Sequence, residues 1–375
     1  MRFGILQEGD TPPGASVPNR YHEMIREAVL ADQEGFDFWG VSEQHFNAPH
    51  CTTSSPEALL GAVAILTQNI KLRQMSHVLL TFNHPLRTAE HLATLDIISR
   101  GRVEIGTARS NNSVMHKAFG VDPNDTRAQW RECLSVIVKA LTEETVQFAG
   151  KYFNIPETRV EPRLYQNALP KIFVSANSFE TCKASGALGI GVMLSNHFGW
   201  EYSERCIETY KSAVASAAPD GNYEVNNSFS HLVLAHCART RAEAIEQGRP
   251  AALGFAKWVV EFLGKLGSSK SPNYEYMASM KKEIEHHGDD LEYLMDATPW
   301  FLIGTPDEVI ERAQKFSDLG VDEMLLRMDG YGHQNIMSSI GLIGKYVLPE
   351  FKRPQTVIRQ SGYEERGVTV PRYLP

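Results

Sequence analysis

Short runs of strand-forming residues alternate with helix-period segments along most of this chain, and that alternation restricts the fold more than any other feature. The runs are Arg2–Gln7, Phe36–Glu43, Leu72–Leu80, Val103–Thr107, Lys171–Ser175, Val192–Ser195, Phe229–Cys237 and Glu323–Arg327. Strands separated by helices form βαβ units, and βαβ units build a parallel sheet. Six or seven strands would suggest an open, doubly wound sheet, whereas eight suggest closure. The expectation is an α/β protein folded as a (β/α)8 TIM barrel. A length of 375 residues suits such a barrel with insertions.

The helical segments are well punctuated. Tyr21, Met24, Ile25 and Ala28 make an i, i+3, i+4, i+7 stripe, and Gly35 follows where a left-handed residue ends a helix. Ser55-Pro56 offers a capping hydroxyl before a proline at the first helical position. Thr305-Pro306-Asp307-Glu308 reads as a capping box, and Gly101 and Gly320 end helices just before strands four and eight. Two stretches break the rhythm. Gln147–Gln166 is an excursion between helix four and strand five. Gly264–Asp296, with its KKEIEHHGDD tract, is an insertion between strands seven and eight, either a lid over one end of the barrel or a solvated helical excursion. Residues 1–350 are expected to form a single barrel domain and 351–375 an arm or tail without hydrophobic period.

Composition excludes several classes. A net charge of −8 does not suit a nucleic-acid surface, which needs clustered Lys and Arg. No apolar stretch approaches the ~18 residues that cross a bilayer. Cys51, Cys133, Cys182, Cys206 and Cys237 form no CxxC pair and no zinc spacing, which suits free thiols in a reducing cytoplasm. The opening MRFGILQEGD lacks a basic start followed by an apolar run. The expectation is a cytoplasmic protein with no nucleic-acid or membrane partner.

Chemistry in a (β/α)8 barrel gathers at the C-terminal ends of the strands. Those positions hold Glu43-Gln44-His45, Ser76-His77, Ala108-Arg109-Ser110-Asn111, Asn177-Ser178, Asn196-His197 and Arg327-Met328-Asp329. Apolar strand bodies thus deliver polar groups to one rim. His45 and His77 are candidate catalytic groups, although each also fits a hydrogen-bonded structural histidine. Glu90 and Asp96 fall on the helix after strand three, where capping or pairing is the plainer role. No His-x-His or Glu-x-x-His pair at a strand end supports a metal. The stretch Ala176-Asn177-Ser178-Phe179-Glu180-Thr181 follows strand five and opens a helix. Its backbone NH groups and the Ser178 and Thr181 hydroxyls suit a phosphate, with ordinary N-capping as the alternative. Arg109 at the neighbouring strand end favours the phosphate. One phosphate site without Gly-x-Gly-x-x-Gly points to a mononucleotide such as FMN.

The segments MRFGIL, EGFDFWGVSEQHF, HPLRTAEHLATLDIISRGR, FGVDPNDTRA and FLIGTPDEVIER, in this order and spacing, resemble the bacterial-luciferase-like flavin-dependent monooxygenases from Met1 to about Phe351. The resemblance implies a TIM barrel, usually dimeric, here expected as a homodimer. It implies reduced FMN delivered by a separate NAD(P)H:flavin reductase, dioxygen, a flavin hydroperoxide and a small organic substrate. By position it also implies that Arg109 and Arg127 are phosphate arginines and that Asn177, Ser178 and Thr181 form the phosphate turn. Ser76-His77 matches the place of a non-proline cis peptide beside the flavin ring. Glu90 matches a buried carboxylate near the ring pocket, and His45 the second histidine of a Glu-His-His-Phe motif. Asn111, Asn196 and His197 are candidates for substrate or ring contact. Gln44 and Ala108 stand where the light-emitting subunit has a histidine and a reactive cysteine, so the resemblance implies a substrate other than a long-chain aldehyde. Two other readings fit the same barrel: a deazaflavin-dependent dehydrogenase, and a non-catalytic flavin-binding subunit.

Overall fold

The computed structural model describes residues 1–196, 199–267, 287 and 289–352. In chain order its strands are β1 (Arg2–Gln7), β2 (Phe38–Ser42), β3 (Lys71–Val78), β4 (Val103–Ala108), β5 (Val146–Ala149) and β6 (Asn154–Thr158). They continue as β7 (Ile172–Ala176), β8 (Gly191–Leu194), β9 (Phe229–Cys237), β10 (Phe301–Gly304) and β11 (Glu323–Arg327). Eight of these close into a parallel barrel in the order β1, β2, β3, β4, β7, β8, β9, β11, with β11 returning to β1. The TIM barrel expected from the alternation is therefore the fold.

Two features escaped the sequence. The 147–166 excursion contains an antiparallel hairpin of β5 and β6, outside the barrel sheet. The short run Phe301–Gly304 forms β10, which pairs in parallel with the C-terminal half of β9. β8 pairs only with Phe229, Ser230 and His231 of β9, and β10 takes up Leu234 to Cys237 beyond it.

The helices are α1 (Val17–Gln33), α2 (Pro56–Leu66), α3 (Pro85–Ile98), α4 (Ser113–Ala118), α5 (Thr126–Thr142) and α6 (Phe179–Ala187). They are followed by α7 (Trp200–Val214), α8 (Arg241–Gly267), α9 (Leu291–Ala297), α10 (Pro306–Asp318) and α11 (His333–Leu342). The stripe on α1 buries Met24 and Ala28 completely, and Gly35 ends the helix at φ +83°. Thr305 and Glu308 form the expected capping box on α10. Ser55 stands at the N-cap of α2 without a side-chain cap bond, so Pro56 supplies that start. Most of the 264–296 insertion lies outside the described residues; its last part is α9. The expected tail lies outside them too, except for Lys352, which donates to the Gly35 carbonyl, and Phe351, which packs on Phe3 with ring centroids 5.1 Å apart. No described helix is long and apolar enough to cross a membrane.

The barrel interior is layered. At the floor, the fully buried Arg73 guanidinium lies between the rings of Phe38 and Phe173, 3.9 and 3.7 Å from their centroids. It pairs with Glu104 and Glu323, each at 2.9 Å, and Arg2 reaches the same two carboxylates from below. β2 and β3 approach closely here, since a Cβ on Gly40 would stand 1.7 Å from the Arg73 carbonyl oxygen. Above the ion pairs an apolar layer of Leu6, Met75, Met193 and Leu325 fills the lumen. The floor is sealed, and what remains open is the C-terminal mouth.

Candidate active site

A cavity opens at that mouth, with the apolar layer as its base. Ser76, Ser175 and Ser195, from the ends of β3, β7 and β8, line it in sequence, and the Ser76 and Ser175 hydroxyls are 2.8 Å apart. One side carries Arg109, Ser110 and Asn111 after β4, then Asn177 and Thr181 after β7. Ser110 holds a positive φ of 61°, a strained conformation for a non-glycine residue. The opposite side carries Glu8, Gln44 and Cys51.

The turn after β7 is firmly held. Ser178 caps α6 by accepting from the Thr181 amide at 3.3 Å. Asn177 donates to the Ser195 carbonyl, and Tyr202 donates to the Asn177 carbonyl, both at 2.8 Å. Ala176 lies buried beneath, its carbonyl accepting from the Ser195 amide at 3.0 Å. The side chains of Thr181 and Asn177 therefore face the cavity with Arg109, while Ser178 serves the helix. Together with the α6 N-terminus, this donor set suits an anion.

Other sequence candidates lie elsewhere. In β3 the register slips between Gln74 and His77, so that Gln74 meets Ile105 and His77 meets Thr107. This bulge turns Met75 and Ser76 both inward and His77 outward. His77 is buried behind the wall, with Nε2 3.0 Å from the Thr88 hydroxyl and Nδ1 3.0 Å from Glu43. The cis peptides among the described residues are Ala48–Pro49 and Glu161–Pro162, so the Ser76–His77 bond is not the cis bond that the resemblance implied. His45 also stands outside the cavity lining, 3.0 Å from Glu43 and edge-on to Phe119. Glu90 is a half-exposed residue of α3 paired with Arg87, and Arg127 is exposed on α5; neither lines the cavity. Asn196 is buried and donates to Ser203 at 2.7 Å, whose hydroxyl meets His231 Nε2 at 2.8 Å. That chain of bonds occupies its amide in packing α7. His197 lies outside the described residues.

Glu43 is the residue that joins both histidines. It lines the cavity and accepts from the Val78 amide at 2.8 Å and the Asn83 amide at 2.7 Å. Burial alone would raise its pKa, but hydrogen bonds from His45 and His77 hold it down to about 2. It is anionic at neutral pH. Its place at the head of the Glu43-Gln44-His45 rim triplet was the available signal.

Across the mouth, Glu8 is 2.9 Å from Arg327 Nε and accepts from Gln44 at 3.0 Å. Arg327 also reaches Asp10 at 3.4 Å and stacks over Phe255, 3.4 Å from the ring centroid. Phe255, Trp258, Val259 and Phe262 of α8 complete the lining. Their i, i+3, i+4, i+7 spacing was visible in the sequence, but such a stripe usually marks a core face.

Comparison with known proteins agrees with this architecture. The luciferase-like monooxygenase family profile matches residues 1–323. The alkanal monooxygenase alpha chain of Photobacterium leiognathi is 25% identical over 356 residues, covering 92% of this chain and 97% of that one. Several further curated relatives are covered over 55% to 100% of their own length. The oxygenating constituent of 3,6-diketocamphane monooxygenase from Pseudomonas putida, solved with FMN, is similar over 94% of this chain and 99% of that one, with a TM-score of 0.74 and 22% identity. The coenzyme F420 dependent tetrahydromethanopterin reductase of Methanopyrus kandleri covers the same shares, with a TM-score of 0.70 and 20% identity. The profile match spans most of the sequence and runs from the first strand to the start of the last: this chain belongs to the luciferase-like monooxygenase family.

Proposed function

We propose that this protein is a two-component flavin-dependent monooxygenase, which takes reduced FMN from a separate NAD(P)H:flavin reductase and uses dioxygen to oxygenate a small organic substrate. The observation that carries this reading is the one-sided donor set of the mouth. Arg109 lines the same cavity as Asn177 and Thr181 at the start of α6, and one phosphate matches that set. Next to it, the serine hydroxyls above Met75 and Met193 suit the polar edge and flat face of an isoalloxazine ring. The FMN complex of the similar diketocamphane enzyme supports the choice of flavin.

Bound FMN would supply the redox chemistry with dioxygen. The chain's residues would do the rest. Arg109, Asn177 and Thr181 hold the phosphate, Ser178 keeps their turn in shape, and Ser76 orients the ring edge. Asn111, beside Arg109, contacts the ring or the substrate, and the α8 side chains keep water out. His45 and His77 would act only through Glu43, by fixing its charge and position. We place a homodimer contact on the last turns of α2 and α3, where Ile65 is 67% exposed and Ile97 42%.

The source of electrons gives the test. The purified protein should be inactive with NADH and FMN alone. Activity should appear when an unrelated NAD(P)H:flavin reductase is added, even across a dialysis membrane that keeps the proteins apart. Rapid substrate-dependent NADH oxidation by the isolated chain would replace this reading with a one-component flavoenzyme. Stabilisation by F420 but not FMN would replace it with the deazaflavin dehydrogenase. No product with the full set of reduced cofactors in a broad metabolite screen would leave a non-catalytic subunit.

A further inference from the structure

The two sides of the mouth differ in a way that identifies the kind of substrate. The eight strands follow one another as β1, β2, β3, β4, β7, β8, β9 and β11. In such a ring β1 stands opposite β7, and β11 opposite β4. The anion-binding side chains belong to β4 and β7, so the ends of β1 and β11 form the far wall. That wall carries Glu8 from β1 and, behind it, Arg327 from β11, capped by α8.

The α8 stripe is unusual in its target. Phe255, Trp258 and Phe262 line the cavity, and Trp258 is in ring contact with each of the other two. The Phe255 and Trp258 centroids are 5.4 Å apart, and Trp258 and Phe262 are 5.1 Å apart and nearly parallel, at 21°. His50 supports Trp258 at 5.2 Å. Arg327, 3.4 Å from the Phe255 centroid, anchors the ladder from below and is itself fixed by Glu8 and Asp10. Aromatic rings held in this way offer a rigid, preorganised face.

Charge narrows the occupant further. Among the described lining residues the one cation is Arg109, on the opposite side, while Glu8 and Glu43 are acidic. An anionic substrate would meet the Glu8 carboxylate with no cation left to receive it. Gln44, which donates to Glu8 and accepts from Asn47, each at 3.0 Å, is a fixed polar group among the lining residues on this side.

We propose that the α8 side of the mouth is a substrate subsite for an uncharged, planar aromatic ring system, stacked on Trp258 and carrying a polar group toward Gln44. The assignment rests on the flavin reading only in giving the other side of the mouth to the cofactor. A saturated or linear molecule fills the same space without the stacking contribution.

The test uses the full chain without added flavin and isothermal titration with three probes: 2-naphthol, decahydro-2-naphthol and 2-naphthoate. 2-Naphthol should bind about five- to tenfold more tightly than its saturated counterpart, and 2-naphthoate more weakly than either. Trp258→Leu should bring the naphthol-to-decahydronaphthol ratio close to one, and Trp258→Tyr should keep most of it. FMN affinity, measured separately, should be the same in both variants as in the wild type. Equal binding of the planar and saturated probes, or an unchanged ratio in Trp258→Leu, overturns the proposal. So does a loss of FMN affinity in Trp258→Leu as large as the loss for naphthol, which would give the wall to the flavin. Naphthol discrimination in a wild-type protein that binds no FMN would support the aromatic subsite while removing the flavin reading.

Discussion

Glu43 and His231 are both buried ionisable residues, and their surroundings hold them in opposite charge states. Glu43 accepts from Val78, Asn83, His45 and His77, so its charge is kept. Glu43→Gln would turn an amide NH2 toward groups that are already donors. We expect a loss of about 3–5 kcal/mol, the usual cost of breaking a buried charge-assisted cluster, read from the urea midpoint; an unchanged midpoint would mean that the cluster contributes nothing. His231 is the reverse case, a ring kept neutral. Burial pushes its pKa down to about 4, while its Nδ1 donates to the Leu232 carbonyl at 3.0 Å. The unfolded chain takes up this proton near pH 6.5 and the folded chain near pH 4, so between those values the unfolded state binds more protons. The stability associated with the neutral ring is fully present above about pH 6.5 and is lost as pH falls toward 4, by about 3 kcal/mol. Unfolding curves at pH 7 and 4.5 should show this slope, and it should flatten in His231→Gln. A variant with the wild-type slope would assign the acid sensitivity to another group.

At the scale of elements, the sequence was most legible where a single period governs a whole segment. Arg2–Gln7, Phe229–Cys237 and Glu323–Arg327 have the bounds read from their apolar runs. The rim was legible for the same reason, since strand ends were known once strands were, and Arg109, Asn111, Asn177 and Thr181 do face the cavity. The rest depended on one-residue events or on contacts far apart in sequence. The bulge in β3 reverses His77, and no period-2 count reveals where a bulge falls. β10 is four residues long and sits directly before a capping box, so the alternation of strands and helices does not single it out. The Glu8–Arg327 pair links residues 319 apart. Outer helices raise a separate question, because α2 and α3 leave Ile65, Leu66, Ile97 and Ile98 exposed on their last turns. If that face joins two copies, Ile65→Glu should shift the sedimenting species from dimer to monomer at micromolar concentration. A wild-type protein that sediments as a monomer would remove the contact.

For the whole molecule, the charged floor ties opposite sides of the closed barrel together. Arg73 comes from β3, Glu104 from β4 and Glu323 from β11, with Ser230 of β9 donating to Glu323 at 2.6 Å. Arg73→Met would leave two buried carboxylates with Arg2 as their remaining cation, and we expect it to cost about 3–5 kcal/mol. Replacing Glu104 and Glu323 by Gln in the same chain should recover part of that loss in urea unfolding. If the single and triple variants were equally unstable, packing of the Arg73 side chain would matter more than its charge. The sealed floor also constrains traffic. A vessel stoppered at its base has one doorway, and two guests that use it must share it. A guest under α8 and one on the α6 side would sit on opposite walls of the same mouth, and each would come and go through that one opening, never through the base.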